Sequence, residues 1–453
     1  MIKVCKFGGT SLASREQIEK SLDIMLSDSS RKYMVVSAPG ARSKGDIKMT
    51  DLLINAAQGD ISSFEETKSR INSILSDMPF IADNIVSELD FRRNNYARLG
   101  DKMDVYKAFG EFASAKIISA ILNKKGIKSN FLCPKELGFT IQNSECNPRP
   151  DPSCYSPMGE KLKSFDENIR IGVFPGFYGY TKKEMLATLP RNGTDISGAV
   201  LARAVRETGT CDSIIYENFS DEDGLKRANP KIVPYAEVIP EMTYLEAREL
   251  AYMGFKLQDA CFEPLIGKGI ILNARNTNNP LHPGTKIVDS RIPLSDERIV
   301  GVACENDSHL IGFRKMYSDQ EVGLGRKMFS VLEKLSIPYE HSPTGVDTLS
   351  LVIRGRYLEG KENINVLAKK IAEKCSAEIV GIQNMSLLSV AGIGMNNYYD
   401  THRRVFSALE KVNARIRMID DGAEDISLFL GIDRDKADST VMAIYDEFFH
   451  PKI

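Results

Sequence analysis

The 453-residue sequence predicts an α/β protein in two parts, and three observations carry that expectation. Over the first 290 residues, short apolar runs alternate with helix-like segments, the pattern of a layered α/β domain. Beyond residue 290 the chain repeats itself. Offset by 77 positions without a gap, Phe329 to Ile353 lies over Phe406 to Leu430, and eight of 25 positions are identical, among them Phe329/Phe406, Leu332/Leu409, Gly345/Gly422 and Leu351/Leu428. Finally, 42% hydrophobic and 26% charged residues are ordinary for a soluble globular chain, and a net charge of −2 gives no electrostatic reason to expect nucleic acid or an anionic membrane.

In order along the chain, Ile2 to Cys5 reads as a strand running into Lys6-Phe7-Gly8-Gly9-Thr10-Ser11. Ser14 to Leu26 reads as a helix whose N-terminus favours negative charge. Tyr33 to Ser37 is a buried strand ending at Ala38-Pro39-Gly40, and Thr50 to Ala57 starts a helix. Residues 61–104 are polar and helix-prone and pack on one side, Tyr106 to Lys124 forms a strong amphipathic helix, and Gly126 stops it. Further strands fall at Ile169 to Phe174, Ser213 to Tyr216 and Gly269 to Leu272, and Asn276 to Pro283 closes the domain as a loop. Each copy of the C-terminal repeat reads as helix, short strand, glycine turn and second strand.

Eight scattered cysteines with no Cys-x-x-Cys pair suggest free thiols in a reducing cytosol, and five histidines weaken any reading built on a His triad or a His-ligated metal. No apolar run has the length of a membrane span and the start lacks a signal peptide's hydrophobic region, so the expected location is cytoplasmic, with no membrane partner.

Several segments admit two readings. Gly8-Gly9 after a strand is either a tight turn or a cradle whose N–H groups meet phosphate oxygens, with Lys6 supplying a mobile charge; it is not a Walker loop. In Leu189-Pro190-Arg191-Asn192-Gly193-Thr194-Asp195, Thr194 or Asp195 either caps the helix Ile196 to Val205 or works beside Arg191, whose planar fork suits a carboxylate. Thr50 is a cap or a ligand contact, Glu111 a solvated face residue or a charge partner, and residues 221–223 a solvated turn or part of a site. The repeat is either a structural appendage or a pair of ligand-binding modules.

Taken together these strings resemble the aspartate kinases of the amino-acid kinase family, over nearly the whole chain, with residues 61–104 and 133–168 the weakest parts. Lys6-Phe7-Gly8-Gly9-Thr10-Ser11 is similar to the family's opening. Phe174-Pro175-Gly176-Phe177-Tyr178-Gly179 followed by Arg191 to Asp195 is similar to its Pro-Gly-Phe-x-Gly stretch and Gly-Arg-Gly-Gly-Ser-Asp signature, and Phe109-Gly110-Glu111 to its Phe-Gly-Glu. Val390-Ala391-Gly392-Ile393-Gly394-Met395 resembles the second ACT module of these enzymes.

The resemblance implies a three-layer αβα kinase domain over 1–290 and a regulatory region over 291–453 with two ferredoxin-like α+β ACT modules. It implies transfer of the ATP γ-phosphoryl group to the β-carboxylate of L-aspartate, the first step of lysine, threonine and methionine biosynthesis, with ATP and Mg2+ as co-substrate and no protein-held metal. Lys6 and Asp195 are then catalytic. Thr50, Glu111, Arg191 and Thr194 bind aspartate, with Thr194 in the place of a family serine. Lys6, Gly8, Gly9, Ser11, Ser220, Asp221, Lys226 and Lys256 bind ATP. Met316, Val346 and Asp347 line an effector pocket for lysine or threonine, and the ACT modules pair in a homodimer or larger homo-oligomer.

Four departures from the family pattern stand out. Pro190 and Asn192 replace glycines, Lys226 replaces a tyrosine, and Gln258-Asp259-Ala260-Cys261 replaces Leu-His-Pro-Arg. They leave two alternatives: an amino-acid sensor with weakened or lost kinase activity, and a kinase for a related amino acid.

Overall fold

The computed structural model describes residues 1–142, 148–164, 169–252, 259–421 and 426–450; Lys256, Cys146 and Gly422 lie outside them. The chain divides into two compact units, one holding Met1–Leu225 and the other built on the chain from Ile292 onward. The second also takes in Lys226–Glu237 and residues 245–252 from the chain ahead of it.

The first unit is built on an eight-stranded sheet. Its strands are Ile2–Phe7 (β1), Arg31–Val36 (β2), Ser129–Phe131 (β3), Ile171–Pro175 (β4), Ile214–Ser220 (β5), Glu241–Thr243 (β6), Ile270–Asn276 (β7) and Thr285–Val288 (β8). They lie in the order β6-β8-β7-β5-β1-β2-β4-β3, all paired parallel except β7 with β8.

Period-two alternation sorts the strand residues between two layers. Cys5, Phe7, Met34, Val36, Ile171, Val173 and Phe219 face a core shared with helices Arg15–Leu26 (α1), Met49–Ala57 (α2) and Lys102–Lys124 (α3). The opposite face, which carries Val4, Lys6 and Tyr216, packs against helix Gly193–Glu207 (α4). This is the three-layer arrangement the sequence led us to expect.

α3 departs from expectation. It buries residues on every side, Val105, Phe109, Glu111, Ala115, Ile118 and Leu122 among them, because it lies between the sheet and other helices and presents no wide solvated stripe. Glu111 is thereby removed from the solvated-face reading. Ser14 caps α1 by accepting from the Gln17 N–H at 3.3 Å.

Four central strands are locked from the α1 side by one buried carboxylate. Glu217 on β5 accepts from Arg31 on β2 at 2.7 Å and from Arg275 on β7 at 2.8 Å, and Lys3 on β1 lies 3.7 Å away. Burial pushes this carboxyl up, but its three cations overcome that and hold it below the usual range.

In the second unit the 77-residue offset reappears as structure. Strand Gly301–Arg314 (β9) maps end for end onto Glu378–Ala391 (β11), and helix Leu324–Lys334 (α5) onto Thr401–Lys411 (α6). With Thr348–Arg354 (β10), Ile416–Asp421 (β12) and Ser427–Ile432 (β13), the sheet order is β10-β9-β11-β13-β12.

The two long strands pair antiparallel along their length, with register shifts at Glu305/Ser308 and Gly312/Phe313, so each serves both modules. Two hydrophobic cores result, one around Ile311, Met328, Leu351 and Leu367, the other around Val302, Leu388, Leu409 and Leu430. The copies differ in one strand. Where the second has β12, the first has only isolated bridges, His341 to Val352 and Thr344 to Leu349. Pro338 and Pro343, absent from the second copy, remove ladder donors there. The seven described cysteines are free thiols.

Candidate active site

In a parallel sheet the loops leaving the carboxyl ends of the strands gather ligand-binding groups. Four such loops meet in the first unit. Gly8 to Leu12 follows β1, Ser37 to Gly40 follows β2, Gly176-Phe177 follows β4, and Thr277 follows β7.

Backbone ties hold them together: Gly40 N–H to Gly9 O (2.8 Å), Ser37 N–H to Phe7 O (3.2 Å), Gly176 N–H to Val36 O (3.0 Å) and Thr277 N–H to Ser220 O (2.9 Å). Glycine at position 40 is required by close approach, since a Cβ there would lie 2.6 Å from the Gly9 carbonyl carbon.

Lys6 is the polar residue on the α4 side of β1. Its Nζ lies 2.6 Å from Asp195 Oδ1, and both side chains are 10% exposed. Asp195 and Thr194 sit in the first turn of α4, whose N-cap is Asn192 without a side-chain cap bond, so neither residue is the cap. The Asp195 carboxylate also accepts from Asn218 Nδ2 at 3.3 Å, and its main-chain oxygen from Tyr216 OH at 3.0 Å. Asn218 is the register partner of Lys6 on β5, which explains why both reach one carboxylate. Ser37 Oγ donates to Thr194 Oγ1 at 2.9 Å. A Cβ on Gly176 would come within 2.5 Å of Thr194 Cγ2, so that glycine lets the loop close over the helix end.

Glu111 is 5% exposed and its Oε2 has no hydrogen-bond partner among the described residues. Burial raises its carboxyl to about 8; the Ala38 amide and the charge of Lys107 pull the other way without overcoming it. Its neighbour Gly110 packs on the same turn, where a Cβ would meet Ala38 Cβ at 2.6 Å. The Ser37–Gly40 turn is thus a hub touching the glycine pair, the Glu111 carboxyl and Thr194. Arg191 is exposed and makes no ion pair among the described residues, and Thr50, in the first turn of α2, is half-buried.

Residues 1–272 match the amino acid kinase family and residues 388–448 an ACT domain. Aspartokinase 3 of Bacillus subtilis (strain 168) is 33% identical over 462 residues, covering 99% of each chain. The chain belongs to the aspartokinases of the amino acid kinase family. The crystal structure of Clostridium acetobutylicum aspartate kinase superposes with a TM-score of 0.82 at 31% identity, over 99% of this chain and 100% of that one. E. coli aspartokinase III in complex with aspartate and ADP shares the fold at 21% identity, with a TM-score of 0.76 over 99% of this chain and 100% of that one.

The altered loop holds a turn. Asn192 takes φ 63°, the left-handed conformation a glycine would supply, and Pro190 still accepts from the Gly193 N–H at 2.9 Å.

On the nucleotide side, most of the expected residues have partners within the chain. The Gly8 N–H is tied to Phe219 O at 3.3 Å, which leaves Gly9 as the freer amide of the pair. Ser11 is 3% exposed and its hydroxyl bonds Thr277 Oγ1 at 2.8 Å, so it braces two loops. Ser220 Oγ accepts from the Glu222 N–H at 3.2 Å, a local turn bond, and Asp221 is exposed. Lys226 belongs to the second unit, where its Nζ donates to Ala236 O at 3.1 Å.

The expected effector residues lie beside a cavity. A cavity of about 390 Å³ in the first ACT module is lined by Asp319, Gly325, Met328, Ser342, Thr344 and Gly345, among others. Met316, Val346 and Asp347 are not part of that lining. Asp347 Oδ1 accepts from the Tyr317 N–H at 2.7 Å, a bond that joins the turn before β10 to the segment after β9.

Sequence reading missed Asn218, Tyr216 and Ser37. Their signal was positional: polar side chains on or just after strands, whose partners are fixed only by which strands and helices lie side by side.

Proposed function

We propose that the chain transfers the ATP γ-phosphoryl group to the β-carboxylate of L-aspartate, giving 4-phospho-L-aspartate. The Lys6–Asp195 pair at the carboxyl end of the sheet, under the N-terminus of α4, carries the reading. The acceptor is ionised at neutral pH, so no general base is needed and catalysis rests on positioning and charge neutralisation. Lys6 and the Gly9 amide meet the transferring group, and Asp195 holds the Lys6 ammonium in place. Arg191 grips the α-carboxylate of aspartate in a bidentate way and Glu111, once ionised, receives its ammonium. Thr50 and Thr194 orient the substrate.

Mg2+ enters with the nucleotide. No group of three or more His, Cys, Asp or Glu side chains suited to a metal occurs among the described residues, and an ion bridging phosphates needs one or two carboxylates at most. Residues 1–290 act as the catalytic domain and 291–453 as the regulatory one. The ACT modules pair two or more copies and admit a free amino acid, lysine ahead of threonine, whose ammonium meets Asp319 at the cavity.

No helix among the described residues is long and apolar enough to cross a membrane. Hydroxylamine trapping of acyl phosphate with Mg-ATP and a panel of acidic amino acids tests the reading. Product from aspartate supports it, product from another acid reassigns the substrate, and no product leaves the sensor alternative.

A further inference from the structure

The two residues assigned to the ends of aspartate's backbone sit on separate elements, Glu111 within α3 and Arg191 in the loop before α4. Something must fix their separation, because that separation decides how far the acceptor carboxylate reaches towards Lys6.

A closed triangle of polar groups joins the two elements. Thr188 Oγ1 donates to Asp104 Oδ1 at 2.6 Å, Lys107 Nζ donates to Thr188 Oγ1 at 2.9 Å, and Lys107 Nζ lies 2.9 Å from Asp104 Oδ1. Asp104 and Lys107 are on α3, Lys107 one turn before Glu111, while Thr188 precedes Arg191 by three residues. Thr188 is 4% exposed, so its hydroxyl has no water to fall back on.

Downstream, the Leu189 N–H is tied to Phe177 O at 2.8 Å, and Phe177 holds φ 69°, a strained conformation for a bulky side chain. The loop is therefore pinned at both Thr188 and Leu189, and Arg191 is the first residue beyond the pins with a free side chain.

We propose that Thr188, held between Asp104 and Lys107, is a positioning residue that sets the spacing of Arg191 from Glu111 and thereby selects a four-carbon over a five-carbon acidic amino acid. It rests on the roles given above to Arg191 and Glu111. Removing the hydroxyl leaves Asp104 and Lys107 paired with each other and the chain before Arg191 held by backbone bonds alone, Leu189 N–H to Phe177 O and the pairing of Thr188 with Tyr178, with no side-chain tie to α3 through Thr188. The two backbone clamps then close around a longer substrate at less cost, and aspartate itself is held less well.

The test compares Thr188→Val, which keeps the shape and loses the hydroxyl, with Thr188→Ser, which keeps the hydroxyl. KM for aspartate, KM for ATP and the inhibition constant of glutamate against aspartate are measured for each, so discrimination is read even if glutamate is not turned over. Thr188→Val should raise KM for aspartate about tenfold, leave KM for ATP within about twofold, and narrow the ratio of glutamate inhibition constant to aspartate KM at least about fivefold. Thr188→Ser should bring the ratio back to within about twofold of the parent. Lys107→Met, which removes two sides of the triangle, should narrow the ratio in the same direction and carries the test if Thr188→Val does not fold.

An unchanged ratio in the folded variants overturns the proposal, even with a lowered melting temperature, because that result makes Thr188 a stability residue only. If Arg191→Lys and Glu111→Gln both leave aspartate kinetics untouched, the underlying site reading has failed. If they alter KM while the ratio stays fixed in Thr188→Val, this inference alone has failed.

Discussion

Glu111→Gln is the most informative substitution at the site. In the free protein burial holds the Glu111 carboxyl at about 8, well above the ordinary 4.5, while the proposed partner is an ammonium group that needs the carboxylate. At pH 7 about one tenth of the molecules carry the ionised form and at pH 6 about one hundredth, so the apparent affinity for aspartate should fall by those factors below its alkaline plateau. kcat/KM for aspartate should therefore climb about tenfold per unit from pH 6 to 7 and level off near 8, while KM for ATP stays flat. Close to one proton per aspartate bound should be released at pH 7, visible by calorimetry in buffers of different ionisation enthalpy.

Glu111→Gln removes the titration, and aspartate binding should then be flat with pH and weaker than the wild-type plateau by about 30-fold or more, the size of a lost buried charge-assisted bond. Stability supplies a second reading. The unfolded chain releases this proton near the ordinary 4.5 and the native state only near 8, so the wild type loses stability relative to Glu111→Gln as pH rises through that window. The slope is about 1.4 kcal/mol per unit, some 4–5 kcal/mol at most, and the two proteins should melt alike near pH 4. A wild-type aspartate profile flat from pH 6 to 8, with less than about threefold loss in the glutamine variant, would refute the argument for Glu111.

Three further outcomes follow from the same geometry. Lys6→Ala should lower kcat at least about 100-fold, a loss of roughly 3 kcal/mol, with turnover read by acyl-phosphate trapping. Because Asp195 would keep only the Asn218 donor among the described residues, the same variant should also lose about 1–3 kcal/mol of stability in denaturant titration. Arg191→Lys keeps the charge but loses the fork, so KM for aspartate should rise about tenfold with KM for ATP within about twofold; the reverse split would assign Arg191 to the nucleotide. Gly325→Leu should fill the ACT cavity, since a Cβ there has room, its nearest neighbour among the described residues being Phe329 Cε2 at 3.8 Å. It should abolish calorimetric binding of lysine and any inhibition by it while leaving basal turnover unchanged, and retained inhibition would place the effector elsewhere.

What the sequence determined by itself is whatever depends on neighbours along the chain. Alternation in Val4-Cys5-Lys6-Phe7 puts Lys6 on the face opposite Cys5 and Phe7, and Gly8-Gly9 ends the strand there. Asn192 marks a position able to take positive φ, and the 77-residue offset announces two copies of one module. These features need only bond geometry and periodicity, which act within a few residues.

What only the tertiary structure decided depends on which strands and loops lie side by side. Lys6 and Asn218 share Asp195 because β1 and β5 are adjacent and in register, a pairing of residues more than two hundred positions apart. Glu111 changes from a surface charge to a buried, protonated carboxyl because α3 is enclosed on every side. Ser11 and Asp347 bond Thr277 and the Tyr317 amide, partners that lie far from them along the chain. The repeat likewise does not show that β9 and β11 are each shared by both modules. Burial, hydrogen-bond partners and pKa are set by whatever surrounds a residue in space, and most of that comes from distant parts of the chain.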